Sequence, residues 1–140
     1  MTHQQLAQKA ISARNLAYAP YSGFHVGAAL LSQCGTVYTG CNVESAAFSP
    51  TCCAERTALV KAVSEGARRF TAIAISGGAK NASTDYCYPC GVCRQVLYEF
   101  GGDDLQVIVA KTADDYRTHL LSVLLPHGFG AQNLEPVQGE

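Results

Sequence analysis

Cys53 and Glu55 stand two residues apart, and Cys90 and Cys93 three apart directly after Pro89. Each pair is predicted to open a helix. The first offers a thiolate and a carboxylate within one turn, the second two thiolates. Side chains three apart on a helix share a face, so Cys90 and Cys93 can grip one ion. Cys53, Cys90 and Cys93 around zinc leave the fourth tetrahedral position open for water, which marks a catalytic rather than a closed structural site. Glu55 then has the spacing to stand beside that water without binding the metal, where a carboxylate can move protons. Elsewhere a first-turn Glu only complements the helix dipole; next to these sulfurs that is the weaker reading. The positive helix ends also lower thiol pKa values, which favours metal binding. Three thiolates on Zn²⁺ sum to −1, however, and that charge makes a bound water a poorer acid than three neutral histidines would. Arg56 is the nearest group able to return positive potential, although an Arg on an exposed helix face is common without any such task.

Other cysteines compete for the metal. Cys52 adjoins Cys53, but neighbouring side chains on a helix point about 100° apart, so the two do not reach one ion together. Cys87 makes a second C-x-x-C with Cys90, and Cys53, Cys87, Cys90 and Cys93 could close a four-sulfur structural site in a scaffold without chemistry. Pro89 before Cys90 and Glu55 after Cys53 favour the open site, and both readings stand at this point. Cys34 and Cys41 read as small core residues. The chain has seven cysteines, an odd number, which argues for reduced thiols and metal binding rather than a disulfide scaffold. None of the four histidines falls in a ligand pattern.

Helices and strands must bring these groups together. Apolar residues at helical spacing predict a helix over about 3–17, ended by the Pro and Gly of residues 18–23. Strands are expected from Phe24 to Leu31 and from Thr36 to Val43 around a Gln33-Cys34-Gly35 turn. A second helix should run from about Cys53 to Glu65, and a buried strand from Arg69 to Ile75, ending at Gly77-Gly78. After an irregular stretch over 79–88 come a third helix from about Gly91 to Phe100, a strand from Leu105 to Ala110, a shorter strand over 116–120 and a helical turn near Ser122 to Leu125. A hairpin followed by strand–helix–strand alternation implies a mixed sheet with helices on both faces. Both cysteine-bearing helices then start at one end of the sheet, where open α/β sheets hold their ligands.

The pattern Cys53-Ala54-Glu55 with Pro89-Cys90-Gly91-Val92-Cys93 matches the signature of the zinc deaminases. Together with Tyr21-Ser22-Gly23-Phe24, Val26-Gly27-Ala28-Ala29, Asn42-Val43-Glu44, Arg56-Thr57-Ala58, Arg94-Gln95, Leu124-Leu125-Pro126 and Phe129, the chain resembles the small homotetrameric cytidine deaminases with a three-cysteine zinc site, almost end to end. The resemblance implies a three-layer α/β/α fold around a mixed five-stranded sheet, with residues 1–140 forming one catalytic domain. It implies one Zn²⁺ per subunit and hydrolytic deamination of cytidine and 2′-deoxycytidine, in pyrimidine salvage, by a hydrolase acting on a cyclic amidine C–N bond. Glu55 would take a proton from the water, deliver it to N3 and help ammonia leave C4, while Arg56 donates to the ligand sulfurs. Phe24, Asn42, Glu44 and Ala54 would bind the nucleoside, and Phe129 would reach a neighbour's pocket across the tetramer interface. From the residues alone, Asn-x-Glu is an ordinary strand exit, Phe24 is core and Phe129 anchors its own C-terminus. Glu44 without a basic cluster disfavours a 5′-phosphate, so a free nucleoside is expected. The related blasticidin-type deaminases share the cysteine core but lack the Phe24 and Asn42-x-Glu44 set. Ser45 and Phe48 replace the family's usual Asn and Tyr, and Tyr88 its usual small residue; these departures bear on substrate range more than on reaction type.

Composition agrees. A length of 140 residues suits one domain, and 48% hydrophobic residues suffice for a core. Charged residues are only 15%, so part of the surface is expected to pack against copies of the same chain. A net charge of −1 without a basic run gives no cue for nucleic acid or an anionic membrane as partner. No apolar run suggests a signal peptide or a membrane span, and a cytoplasmic protein is expected.

Overall fold

The computed structural model describes residues 1–81 and 85–134. Helix α1 (His3–Ala13) starts at Thr2, whose hydroxyl accepts from the Gln5 N–H while the Gln5 side chain accepts from the Thr2 N–H. It buries Leu6, Ala7 and Ala10. The helix expected to reach residue 17 gives way to a 3₁₀ turn at Arg14–Leu16. Arg14 is turned there onto the sheet, donating from Nε to the His25 carbonyl and from Nη2 to the Ala79 carbonyl.

Strands β1 (Phe24–Ser32), β2 (Val37–Cys41), β3 (Phe70–Ala79), β4 (Gln106–Ala110) and β5 (Tyr116–Leu120) form one sheet in the order β2-β1-β3-β4-β5. All neighbours are antiparallel except β3 and β4. That parallel pair is joined through α3 (Gly91–Gly101); α2 (Ala54–Ser64) follows β2, and the short α4 (Leu121–Leu124) follows β5. The expected mixed five-stranded sheet is therefore present. Its alternation also sets the layers. Ala28, Leu30, Ile73, Ile75, Val107 and Val109 face a core shared with α2 and α3, whereas Ala29, Ala72, Ala74 and Ile108 face Leu6 and Ala10 of α1. Helices on both sides make three layers, and strands buried on both faces read as continuous apolar runs for that reason.

Gly40 sets how closely α2 approaches β2: a Cβ there would stand 2.5 Å from the Ala58 nitrogen and 2.7 Å from the Ala54 carbonyl oxygen. Two strand boundaries differ from expectation. Strand β3 does not end at its glycines but pairs through them, Gly77 with Val26 and Gly78 with His25. Strand β2 stops at Cys41, and Asn42 beyond it holds β1 with both backbone and side chain. Its N–H donates to the Val26 carbonyl at 3.2 Å, while its amide accepts from the Val26 N–H at 2.9 Å and donates to the Phe24 carbonyl at 2.8 Å. The irregular stretch expected over 79–88 lies partly outside the described residues. No described helix is long and apolar enough to cross a membrane.

Candidate active site

Two helix N-termini meet beside the end of β1. Cys53 is the N-cap of α2 and Cys90 the N-cap of α3, both in extended conformation, and neither helix receives a side-chain cap. The first N–H groups of each helix thus aim partial positive charge at the sulfurs. Cys93, in the first turn of α3, is buried. The three Sγ atoms lie within 4.8 Å of one another, and those of Cys53 and Cys90 are 3.9 Å apart. Tetrahedral zinc with bonds of about 2.3 Å requires sulfur–sulfur edges of about 3.8 Å, so this donor set fits the metal.

Among the described residues Cys87 is not part of that cluster, which removes the four-sulfur alternative. Its sulfur packs instead over β3, where a Cβ on Gly77 would lie 2.7 Å from it. Burial pushes the Cys87 thiol up to about 11, so it stays protonated. Cys52 also lies outside the cluster and accepts from the Thr57 hydroxyl at 3.4 Å.

Electrostatics separate Cys53 from Cys93. A hydrogen bond from Cys93, aided by Arg56 and Cys90, pulls Cys53 down to about 5 against the opposing effect of burial. Cys93 moves the other way, first because it donates to Cys53 and then because it is buried beside Glu55. The pair shares one proton, which a metal would displace. Arg56 donates to the Cys53 sulfur at 3.5 Å and to the Thr51 carbonyl at 3.3 Å, and the thiolate raises its pKa. Among the described residues its buried Nε has no partner. Glu55 is 4% exposed, and desolvation raises its pKa, partly offset by a hydrogen bond from Cys93.

A cavity of about 340 Å³ opens over this centre, lined by Cys53, Ala54, Glu55 and Cys90 at one side and by Phe24, Asn42 and Glu44 at the other. The two sides are joined by a backbone bridge between Val43 and Cys52, which exchange both hydrogen bonds at 2.9 Å. Glu44 accepts from the Tyr21 and Ser22 N–H groups on Oε1 and from the Ser22 hydroxyl on Oε2. These bonds hold its carboxyl below the usual range, the Ser22 hydroxyl contributing most. Phe129 does not line this cavity and is 58% exposed. Sequence reasoning missed Val26, Ser22 and Thr51, which also line it. Val26 was recoverable, since it shares a strand face with Phe24, and Ser22 stands in the Tyr21-Ser22-Gly23-Phe24 motif, although neither was given a role.

Residues 1–110 match the family model described as the cytidine and deoxycytidylate deaminase zinc-binding region. A cytidine deaminase of Halalkalibacterium halodurans is 45% identical over 134 residues, 96% of this chain and 98% of that protein. One of Sporosarcina psychrophila is 42% identical over 134 residues, 96% of each chain. The crystal structure of cytidine deaminase from Burkholderia pseudomallei superposes with a TM-score of 0.84 at 45% identity, covering 92% of this chain and all of that one. With the three-sulfur centre, its buried carboxylate and this match along most of its length, the chain belongs to the cytidine and deoxycytidylate deaminase zinc-binding family.

Proposed function

We propose that this chain hydrolyses cytidine and 2′-deoxycytidine to the corresponding uridines and ammonia, with one zinc held by Cys53, Cys90 and Cys93. The observation that carries the reading is a single cavity with the sulfur centre and Glu55 at one side and a carboxylate–amide pair with an aromatic wall at the other. A nucleoside has matching parts, a base to be attacked and a sugar to be held. When bound, zinc supplies Lewis acidity that brings the pKa of a water molecule toward neutrality. Glu55 takes one proton of the attacking water as it adds to C4 and passes it to N3. It then takes the second from the hydroxyl now on C4 and gives it to the amine, so that the C4 carbonyl forms, the C4–N bond breaks and ammonia leaves. Its burial keeps these protons from exchanging with bulk water. Arg56 offsets the negative charge of the thiolates. Ala54, buried at the start of α2 and lining the cavity, offers backbone to the base.

At the sugar side, hydrogen-bond capacity supports the assignment. A carboxylate has about four acceptor sites and three are used in Glu44, leaving one on Oε2 for a ribose hydroxyl. The Asn42 amide has a second N–H beyond the one given to Phe24. Phe24, 45% exposed, offers its ring to the base or sugar. Among the described residues no Lys or Arg lines the cavity, so a 5′-phosphate finds no counter-charge there.

Assembly as a homotetramer is part of the proposal. Leu16, Phe48, Val123 and Phe129 are 82%, 71%, 65% and 58% exposed, more apolar surface than one low-charge chain needs to leave open. Phe129 then belongs to a neighbour's site. A cytoplasmic enzyme of pyrimidine salvage completes the reading. The test is incubation of the zinc-loaded protein with cytidine, 2′-deoxycytidine and cytidine 5′-monophosphate, following absorbance and ammonia. Rapid loss of the cytidine band for both nucleosides is expected; absence of ammonia from either would overturn that part of the proposal.

A further inference from the structure

Residues 85–90, between β3 and α3, form neither helix nor strand, yet Cys87 and Tyr88 wall the cavity. Among the described residues the backbone of 85–89 bonds to no neighbouring strand; the Tyr86 N–H donates to the adjoining Asp85 carboxylate, and the Pro89 carbonyl accepts from Arg94. Side chains do the holding. Lys111 and Arg117 both approach the Tyr86 ring, at 4.6 and 4.2 Å from its centroid, and its hydroxyl donates to Asp115 at 2.6 Å. The Tyr88 hydroxyl is 3.1 Å from His119 Nε2, with ring centroids 5.5 Å apart. Arg117 and His119 are two apart on β5 and so share a face, and they meet two tyrosines that are also two apart. Cys87, between them, packs over Gly77. Strand β5 contributes nothing to the cysteine centre, but it fixes one wall of the cavity.

We infer that Tyr88, positioned by His119, determines what the site accepts on the base edge that carries the exocyclic amine. Cytidines unsubstituted there enter, and those methylated on that nitrogen or on the adjoining C5 are turned away. This rests on the cytidine reading above. The carbon under attack must lie at the cysteines, and Tyr88 lines the cavity two residues before Cys90, so its ring borders that edge. A flat ring tied at its far end to a second ring is a stiff wall, and one excess methylene against such a wall is worth roughly 10–200-fold in discrimination.

The experiment compares kcat/KM for cytidine, N4-methylcytidine and 5-methylcytidine in the zinc-loaded wild type, Tyr88→Ala, Tyr88→Phe, His119→Ala and His119→Gln. Binding of uridine against 5-methyluridine, by calorimetry on the same samples, gives a readout independent of turnover. Wild type should favour cytidine at least about tenfold over both methylated substrates. Tyr88→Ala should raise the relative kcat/KM of at least one of them about tenfold, and the relative affinity for 5-methyluridine should move with any gain on 5-methylcytidine. Tyr88→Phe and His119→Ala, which free the ring, should move the ratio about threefold, and His119→Gln, which can still bond the hydroxyl, should restore it. Unchanged ratios in Tyr88→Ala overturn the inference. If circular dichroism shows that this variant does not fold, unchanged ratios in both Tyr88→Phe and His119→Ala overturn it instead. A wild type that neither binds nor deaminates any of the nucleosides overturns the substrate reading on which the inference stands; a wild type active on cytidine with immobile ratios removes only the role of Tyr88.

Discussion

At the cysteine side of the cavity, Cys53 and Cys90 are the N-caps, and Glu55 and Cys93 first-turn residues, of two helices packed on one sheet face, and Glu55 and Cys93 are buried. At the other side, where the proposed function puts the sugar, Phe24, Asn42 and Glu44 come from a strand end and the loop beyond β2, and Phe24 is 45% exposed. In the proposed function the reacting side is thus supplied by one chain and held by regular structure. The binding side is open and depends on irregular backbone, on hydrogen bonds such as those from Ser22 to Glu44, and on whatever covers it. Chemistry that tolerates little misplacement sits on the rigid elements, and recognition sits on the adjustable ones.

The comparison breaks most decisively at a ligand. Cys90→Ala should abolish both zinc retention and deamination, read by elemental analysis and absorbance, while thermal unfolding still shows a cooperative domain. Full zinc content in this variant would mean that the centre is misassigned. Next in size is Glu44→Ala, which removes a charged hydrogen-bond acceptor worth roughly 1.5–3 kcal/mol, or about 10–150-fold in kcat/KM. Zinc content should stay at one per chain, because the loss is confined to the binding side. A zinc loss in Glu44→Ala would show that the two sides are not separable.

Phe129→Ala should follow at about tenfold, from the roughly 1–3 kcal/mol that stacking a base on an aromatic contributes. Co-expression with Glu55→Gln sharpens the point. Hybrid assemblies contain sites that combine Glu55 of one chain with Phe129 of another, and these should recover wild-type turnover. Activity equal only to the sum of the two parents, with hybrids confirmed by mass, would place Phe129 in its own chain's site. The smallest effect is expected at Cys87→Ser, with zinc retained and kcat/KM within about threefold, since its thiol stands apart from the cluster and stays neutral.

Much of the reacting side was legible in the sequence because it is local. Cys90 and Cys93 stand three apart, a spacing that helix geometry converts into a shared face, and Cys53 and Glu55 stand together at one helix start, as N-cap and first-turn residue of α2. The alternating and continuous apolar runs likewise predicted the strands and their order of appearance. Exclusion of Cys87 was not legible, because it depends on β3 continuing through Gly77 and on the contact between that glycine and the Cys87 sulfur. The hold of β5 on Tyr86 and Tyr88 was also hidden, since it joins residues 29 and 31 positions apart through side chains alone. Asn42 showed a different limit. The resemblance implied a nucleoside ligand there, and the structure adds that the same amide bonds to the backbone of β1.

The most direct test of the account is zinc content and cytidine turnover measured together in wild type and Glu55→Gln. The substitution removes proton transfer at the reacting side and leaves the sulfurs in place. Both proteins should carry one zinc per chain, and kcat should fall by about 10²–10⁴ in the variant. A Glu55→Gln protein that deaminates cytidine at the wild-type rate with its zinc in place would contradict the account.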